Sequence, residues 1–158
     1  MSVGSERFAR AVQRMPSLLD TLLRAEKLAV KDRGRIPVER AVVYLFSESG
    51  VPVYVGQTRT PRRRYDQHTG PNRAHNEASF AFLKAKKKAE SAGVEVQRSR
   101  EALQTDAAFS VHFGAAKAWV AAMAFQYVEI EDPIERSIFE MYAALHLGTE
   151  EFNSFETH

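Results

Sequence analysis

The sequence predicts an α+β domain: a small three-stranded antiparallel sheet flanked by helices, with an added helical element at the N-terminus. Three observations carry this reading. Two short runs of β-branched and aromatic residues, 41–46 and 51–55, stand four polar residues apart. A third stretch, 125–131, alternates large apolar with polar side chains, the period of a strand with one buried face. The segments around these runs carry apolar residues at three- and four-residue intervals, the helical period. A length of 158 residues suits one compact domain, divided here into a helical extension over 1–40 and the main domain over 41–158.

Each element has a local cause. In residues 5–31, Phe8, Val12, Met15, Leu18, Leu19, Leu22, Leu23 and Leu28 recur at helical spacing. Pro16 lacks a backbone donor and crowds the preceding turn, so two helices are expected, the second capped by Ser17. Residues 32–40 read as a loop. Ser47-Glu48-Ser49-Gly50 supplies the turn of a β-hairpin, and Pro52 stands at a strand start, where a missing donor is tolerated. Pro61 opens a helix to His68, stopped by Thr69-Gly70-Pro71. Asn76 caps a helix over 77–91 that Gly93 ends. A polar stretch leads to an Ala-rich helix over 107–123, with Phe109, Phe113, Trp119 and Met123 as core side chains. Asp132-Pro133 caps and opens a last helix to Leu147, closed by Gly148, with Ile134, Ile138, Met141 and Leu145 expected to face the core. Residues 149–158 read as irregular.

Composition excludes several classes. At 44% hydrophobic and 27% charged, with 8 Gly and 6 Pro, the chain is neither disordered nor collagen-like. Without Cys it has no disulfide scaffold, zinc-thiolate site or thiol nucleophile. The apolar stretch at 119–125 is far shorter than the ~20 residues of a bilayer span, and the N-terminal residues lack a signal-peptide core. A cytoplasmic protein with no membrane partner is therefore expected. Net charge is +2, but residues 59–100 hold 11 Lys/Arg against 4 Asp/Glu, and residues 126–158 hold 1 against 8. The basic excess centres on Arg59, Arg62, Arg63 and Arg64, and on Lys84, Lys86, Lys87 and Lys88. Such clusters are the footprint of a polyanion partner, or else solvated helix faces.

The hairpin and its exit carry the most specific signal. Strand one contains Val42-Val43-Tyr44, strand two Tyr54-Val55-Gly56, and the next helix bears Arg64 and His68 four residues apart, hence on one face. This pattern resembles the GIY-YIG nuclease superfamily, with a first triplet ending in Tyr, a Tyr-Ile-Gly-like second triplet and an Arg-x-x-x-His on the following helix. Val42 stands where the family usually has Gly. The ten residues from Tyr54 to Arg64 match the spacing in members such as the phage homing endonucleases. The family also carries a helical Glu followed by an Asn some twelve to fifteen residues later. Glu140 lies thirteen residues before Asn153, and Glu135 eighteen; the run from Glu135 to Glu140 also looks like the Glu-x-x-x-x-Glu of the excision-repair endonuclease domain, whose second Glu binds metal. Glu140 is favoured over Glu135. The resemblance covers about a third of the chain.

What the resemblance implies is a metal-dependent endonuclease acting on DNA, with RNA left open, through Tyr44, Tyr54, Arg64, His68, Glu140 and Asn153. Glu140 would hold one Mg²⁺ or Mn²⁺. The chemistry is coherent on its own terms. Phosphodiester hydrolysis needs a deprotonated water, a neutraliser of phosphorane charge and a cation at the leaving oxygen. Mg²⁺ keeps its waters and requires only one or two carboxylates. Arg64 offers the planar fork that suits phosphate. Tyr44 or Tyr54 would take or position the water's proton if metal and Arg lower the phenol from ~10, and His68 would relay that proton or bind the phosphate. Gly56 permits close backbone approach; together with Arg59, Arg62, Arg63 and the four lysines it is assigned to the nucleic-acid track.

Taken singly, each residue has a plainer reading. The tyrosines suit a strand core, Arg64 a solvated run, His68 a cation at a helix C-terminus, Glu140 a surface and Asn153 a turn. Their joint order and spacing is what points to the nuclease. No Gly-rich phosphate loop, His-Glu-x-x-His or Gly-x-Ser-x-Gly competes. His75, His112 and His146 read as structural or surface groups, and His158 sits in the tail near Asn153 in sequence. The rival class is a non-catalytic nucleic-acid-binding or accessory protein on the same scaffold. A third is an interaction module using the amphipathic N-terminal helices, which otherwise serve as a packing or homodimer element.

Overall fold

The computed structural model describes residues 2–70 and 79–153. Helix α1 (Val3–Arg24) leads through a short 3-10 helix (Val30–Arg35) to strands β1 (Val42–Glu48) and β2 (Val51–Thr58). Helices α2 (Pro61–Thr69), α3 (Ser79–Ser91), α4 (Arg100–Thr105) and α5 (Ala107–Ala121) follow, then β3 (Ala124–Glu129) and α6 (Pro133–Leu147). All strand pairs are antiparallel, in the order β2-β1-β3. This is the α+β class, a small three-stranded sheet flanked by helices. No helix among the described residues is long and apolar enough to cross a membrane.

β1 is the middle strand and is covered on both faces, which explains its unbroken apolar run. Val42, Tyr44 and Phe46 join the aromatic core under α2, α3 and α5. Val43 and Leu45 face Met15, Leu18, Leu19 and Leu22 of α1 and Phe139, Ala143 and Ala144 of α6. The hairpin turns on Ser49 (φ 49°) and Gly50 (φ 82°), the left-handed pair of a two-residue turn that matches strand twist. Pro52 lies on the edge strand beside a bulge at Phe46/Ser47, so its missing N–H breaks no ladder bond with a second neighbour.

Three expectations need correction. Pro16 does not divide the N-terminal helix: α1 runs unbroken through it. The proline is exposed, so the carbonyl it orphans faces water, and burial of Met15, Leu18, Leu19 and Leu22 on the other side holds the helix together. The helix also ends at Arg24 rather than at 31; beyond it Leu28 bridges to Phe125 of β3. Phe8, Val12 and Leu23 stay exposed. On α6 the buried face is Arg136, Phe139, Ala143 and Ala144, while Ile134, Met141 and Leu145 point to solvent. Small Ala143 and Ala144 let the helix approach the sheet closely, and Arg136 is tolerated inside because it donates to the carbonyls of Ile130 and Glu131 and to Gln57 Oε1. Thirdly, the polar stretch after Gly93 contains α4, capped by Ser99, whose hydroxyl accepts from Ala102 N. Asn76 and Glu77 lie outside the described residues.

Candidate active site

The expected site residues come from β1, β2, α2, α6 and the segment after α6. Register places Tyr44 directly opposite Gly56. An added Cβ on Gly56 would lie 2.4 Å from the Tyr44 hydroxyl, so glycine is what lets the ring lie flat across β2. Gly56 is itself buried, and its observed partner is this ring. Tyr44 Oη and His68 Nε2 are 3.0 Å apart. The Tyr54 ring lies 6.1 Å from Tyr44 and 5.5 Å from His68, and stacks on Phe80 at 4.7 Å.

α2 delivers Arg64 and His68 because it is pinned at several points. Arg33 forks onto both carboxylate oxygens of Asp66, Arg62 donates to the carbonyls of Ile36 and Gly34, and Lys117 donates to the Gly70 carbonyl at its C-terminus. His68 is 2% exposed. Burial, reinforced by the positive charges of Arg64 and Lys117, lowers it to about 3, so it is neutral and the helix dipole does not make it a cation. Nε2 meets the Tyr44 hydroxyl while Nδ1 has no hydrogen-bond partner among the described residues. The tautomer with hydrogen on Nε2 leaves Nδ1 a bare acceptor, cheaper than burying an unpaired N–H donor.

The tyrosines are phenols here. Burial holds Tyr44 well above its ordinary value, with Tyr54 adding to the rise and Arg64 opposing it. Tyr54 is raised by burial and by Glu140, and eased by Arg64 and Tyr44. Both phenols are raised rather than lowered, and Tyr54, half-buried where Tyr44 is fully enclosed, is the one with surface open to solvent.

Glu140 points at β2. Its Oε2 accepts from Gln57 Nε2 at 2.6 Å, and Gln57 Oε1 in turn accepts from Arg136 Nε at 3.1 Å. Burial raises the Glu140 carboxyl, with Gln57, Arg136 and Arg64 pulling the other way. Glu135 turns instead to α1, where Arg14 donates to it at 3.0 Å. Asn153 donates from Nδ2 to the Val55 carbonyl at 2.5 Å, on the strand edge that β1 leaves free. Neighbouring Phe152 anchors it by packing on Phe80 at 5.2 Å. Gln57 and Arg136 were not among the expected site residues. Gln57 directly follows the Tyr-Val-Gly triplet, and a lone Arg in the acidic last third of the chain is the signal that marks Arg136.

The basic clusters divide. Arg59 and Arg63 are exposed, whereas the Arg62 guanidinium is committed to holding the 3-10 segment. Lys84 Nζ lies 4.5 Å over the Trp119 ring, Lys87 pairs with Glu151, Lys86 is half-buried and Lys88 is exposed. His146 stacks on Tyr142; His75 and His158 lie outside the described residues.

A cation fits at Glu140 on chemical grounds. Among the described residues no group of three or more His, Asp or Glu stands together, and the carboxylate that points at β2 is Glu140. Its Oε2 is taken by Gln57 while Oε1 has no hydrogen-bond partner among the described residues. A half-buried carboxylate with one open hard oxygen suits Mg²⁺ or Mn²⁺, which complete their shells with water and substrate phosphate. Compared with family models, curated proteins and solved structures, the chain matches none.

Proposed function

We propose that this chain is an endonuclease of the GIY-YIG type that hydrolyses DNA phosphodiesters with one Mg²⁺ or Mn²⁺ held by Glu140. One observation carries the reading. β1, β2 and α2 bring Tyr44, Tyr54 and His68 into mutual contact, and α6 sets Glu140 against Gln57, the residue after the Tyr54-Val55-Gly56 triplet, with the Arg64 charge close enough to bear on all four. A guanidinium, a carboxylate and a polarisable phenol are the parts that hydrolysis of a phosphodiester requires.

The residues divide the work as follows. Arg64 clamps the phosphate and neutralises charge that grows on it in the transition state. Tyr54 orients the attacking water through its hydroxyl, and accepts its proton only as the phenolate that the positive charge of Arg64 and of a bound cation would favour. Tyr44 and neutral His68 fix the Tyr54 environment from inside the core. Asn153 fastens the Val55 carbonyl between the two Tyr-Val-Gly neighbours, and Arg136 holds Gln57 against Glu140. A divalent cation bound there supplies positive charge for the leaving oxygen.

The test is Glu140→Gln, which keeps shape and removes the charge. Cleavage of supercoiled plasmid with Mg²⁺ or Mn²⁺ is expected to fall by about 10²–10³ while DNA binding in a gel shift persists. Glu135→Gln, whose side chain faces Arg14, is expected to cleave normally. Equal cleavage by both variants overturns the assignment. Binding by the parent chain without cleavage of supercoiled, branched or single-stranded DNA replaces the nuclease with a non-catalytic binding protein.

A further inference from the structure

We propose that the cleft between α3 and α5 is a stacking subsite for an unpaired nucleotide, so that the substrate strand is single-stranded beside the scissile phosphate. The inference rests on the nuclease reading and names its substrate class. The cleft, of about 460 Å³, is walled by Glu48, Lys84, Lys88, His112 and Trp119, a size that admits a nucleobase. The half-buried indole of Trp119 is braced from within by Phe80 at 5.6 Å and Phe152 at 6.2 Å, which presents a rigid aromatic platform. Lys84 stands over that ring, and Lys88 adds a second ammonium against the single carboxylate of Glu48.

An aromatic face flanked by positive charge is the arrangement that binds single strands, stacking a base while cations track the backbone. A paired base inside a duplex has no free π-face to offer, so the platform selects an unpaired one. Stacking by a base outweighs one exposed cation–π contact, and the Lys84 ammonium it displaces is then in place for that nucleotide's phosphate. The cleft also lies close to the candidate catalytic edge. Phe80 lies between the two rings, 4.7 Å from Tyr54 and 5.6 Å from Trp119, which puts the platform within about three base rises of roughly 3.4 Å from Tyr54. A strand passing Tyr54 and Arg64 therefore reaches Trp119 within a few nucleotides.

Trp119 is the chain's single tryptophan, so its emission reports on this cleft alone. The full chain, without divalent cation, is titrated with a short fluorescein-labelled oligothymidylate, reading anisotropy for binding and tryptophan emission for stacking. Quenching that tracks binding is expected, with a blunt duplex of equal length leaving the emission unchanged. The Lys84→Gln/Lys88→Gln double variant is expected to flatten log K against log[salt] by about 1.4. Trp119→Ala is expected to weaken binding roughly 5- to 150-fold, with Trp119→Phe restoring most of it. The fluorescence arm uses the unaltered chain and stands even where Trp119→Ala fails to fold. An oligonucleotide that binds without changing the emission overturns the proposal, as does equal quenching by the duplex or by a polyglutamate peptide. Cleavage of duplex DNA with Trp119 unmoved overturns this inference and leaves the nuclease; no binding to any DNA form at low salt overturns both.

Discussion

Replacing Gly56 by alanine puts a methyl group where the Tyr44 ring already lies. The new Cβ would sit 2.4 Å from the hydroxyl oxygen, 2.5 Å from Cζ and 3.0 Å from Cε1. The ring has no room to retreat: it is 1% exposed and enclosed by Phe46, Tyr54, His68 and Phe125. Forcing a methyl into a close-packed core costs about 1–3 kcal/mol, and displacing the hydroxyl from His68 adds about 1 kcal/mol. For a chain of this size each kcal/mol moves Tm by about 2–4 °C, so Gly56→Ala is expected to lower Tm by roughly 4–16 °C in a thermal circular-dichroism scan. A double-mutant cycle locates the cause. Tyr44→Leu lacks the three atoms struck and is expected to abolish most of the added cost, whereas Tyr44→Phe relieves only the hydroxyl contact and leaves Cζ in the way. The same Tm as the parent, or the same loss in both Tyr44 backgrounds, would refute the role assigned to this glycine. Cleavage is expected to fall together with Tm, because the displaced ring is the one that borders Tyr54.

Because folding lowers His68 from 6.5 to about 3, the folded chain binds fewer protons than the unfolded one, and this contribution is full above pH 6.5 and lost as pH falls toward 3. At about 1.36 kcal/mol per pH unit the chain is expected to be roughly 2–3 kcal/mol less stable at pH 4.5 than at pH 7 through this group; a urea titration of His68→Gln that keeps the parent's full pH dependence would dismiss it. Arg62→Ala is expected to lower Tm without changing the salt dependence of DNA binding, since its guanidinium holds the Ile36 and Gly34 carbonyls. Exposed Arg63→Ala is expected to do the reverse, flattening the slope by about 0.7 on a single strand or about 0.9 on a duplex; a shared effect on both readouts would undo that division. Neutralising Lys86, Lys87 and Lys88 together is expected to flatten the slope further while single-turnover cleavage at saturating enzyme survives, and an unchanged slope would move the DNA track off α3.

Local patterns determined much of this protein from the sequence alone. The hairpin, α2 with its Pro61 start, β3 and the Asp132-Pro133 to Gly148 limits of α6 all follow from signals within a few residues of each boundary: turn glycines, caps and the switch from period 2 to period 3.6. The candidate residues were legible for the same reason, as short motifs in order. What faces what was not. Pro16 breaks a helix on propensity, yet α1 continues because packing on the far side outweighs one lost hydrogen bond that water replaces. The apolar stripe of α6 pointed to Ile134, Met141 and Leu145, while the sheet selected Ala143, Ala144 and a buried Arg136, whose three acceptors come from outside its own helix. The Gln57 and Arg14 partners that separate Glu140 from Glu135, the demotion of Arg62 to a loop tie, and Trp119 braced two rings from Tyr54 depend on contacts between residues tens of positions apart. Such contacts are set by which faces the three layers bury against one another, and no window along the chain contains that choice.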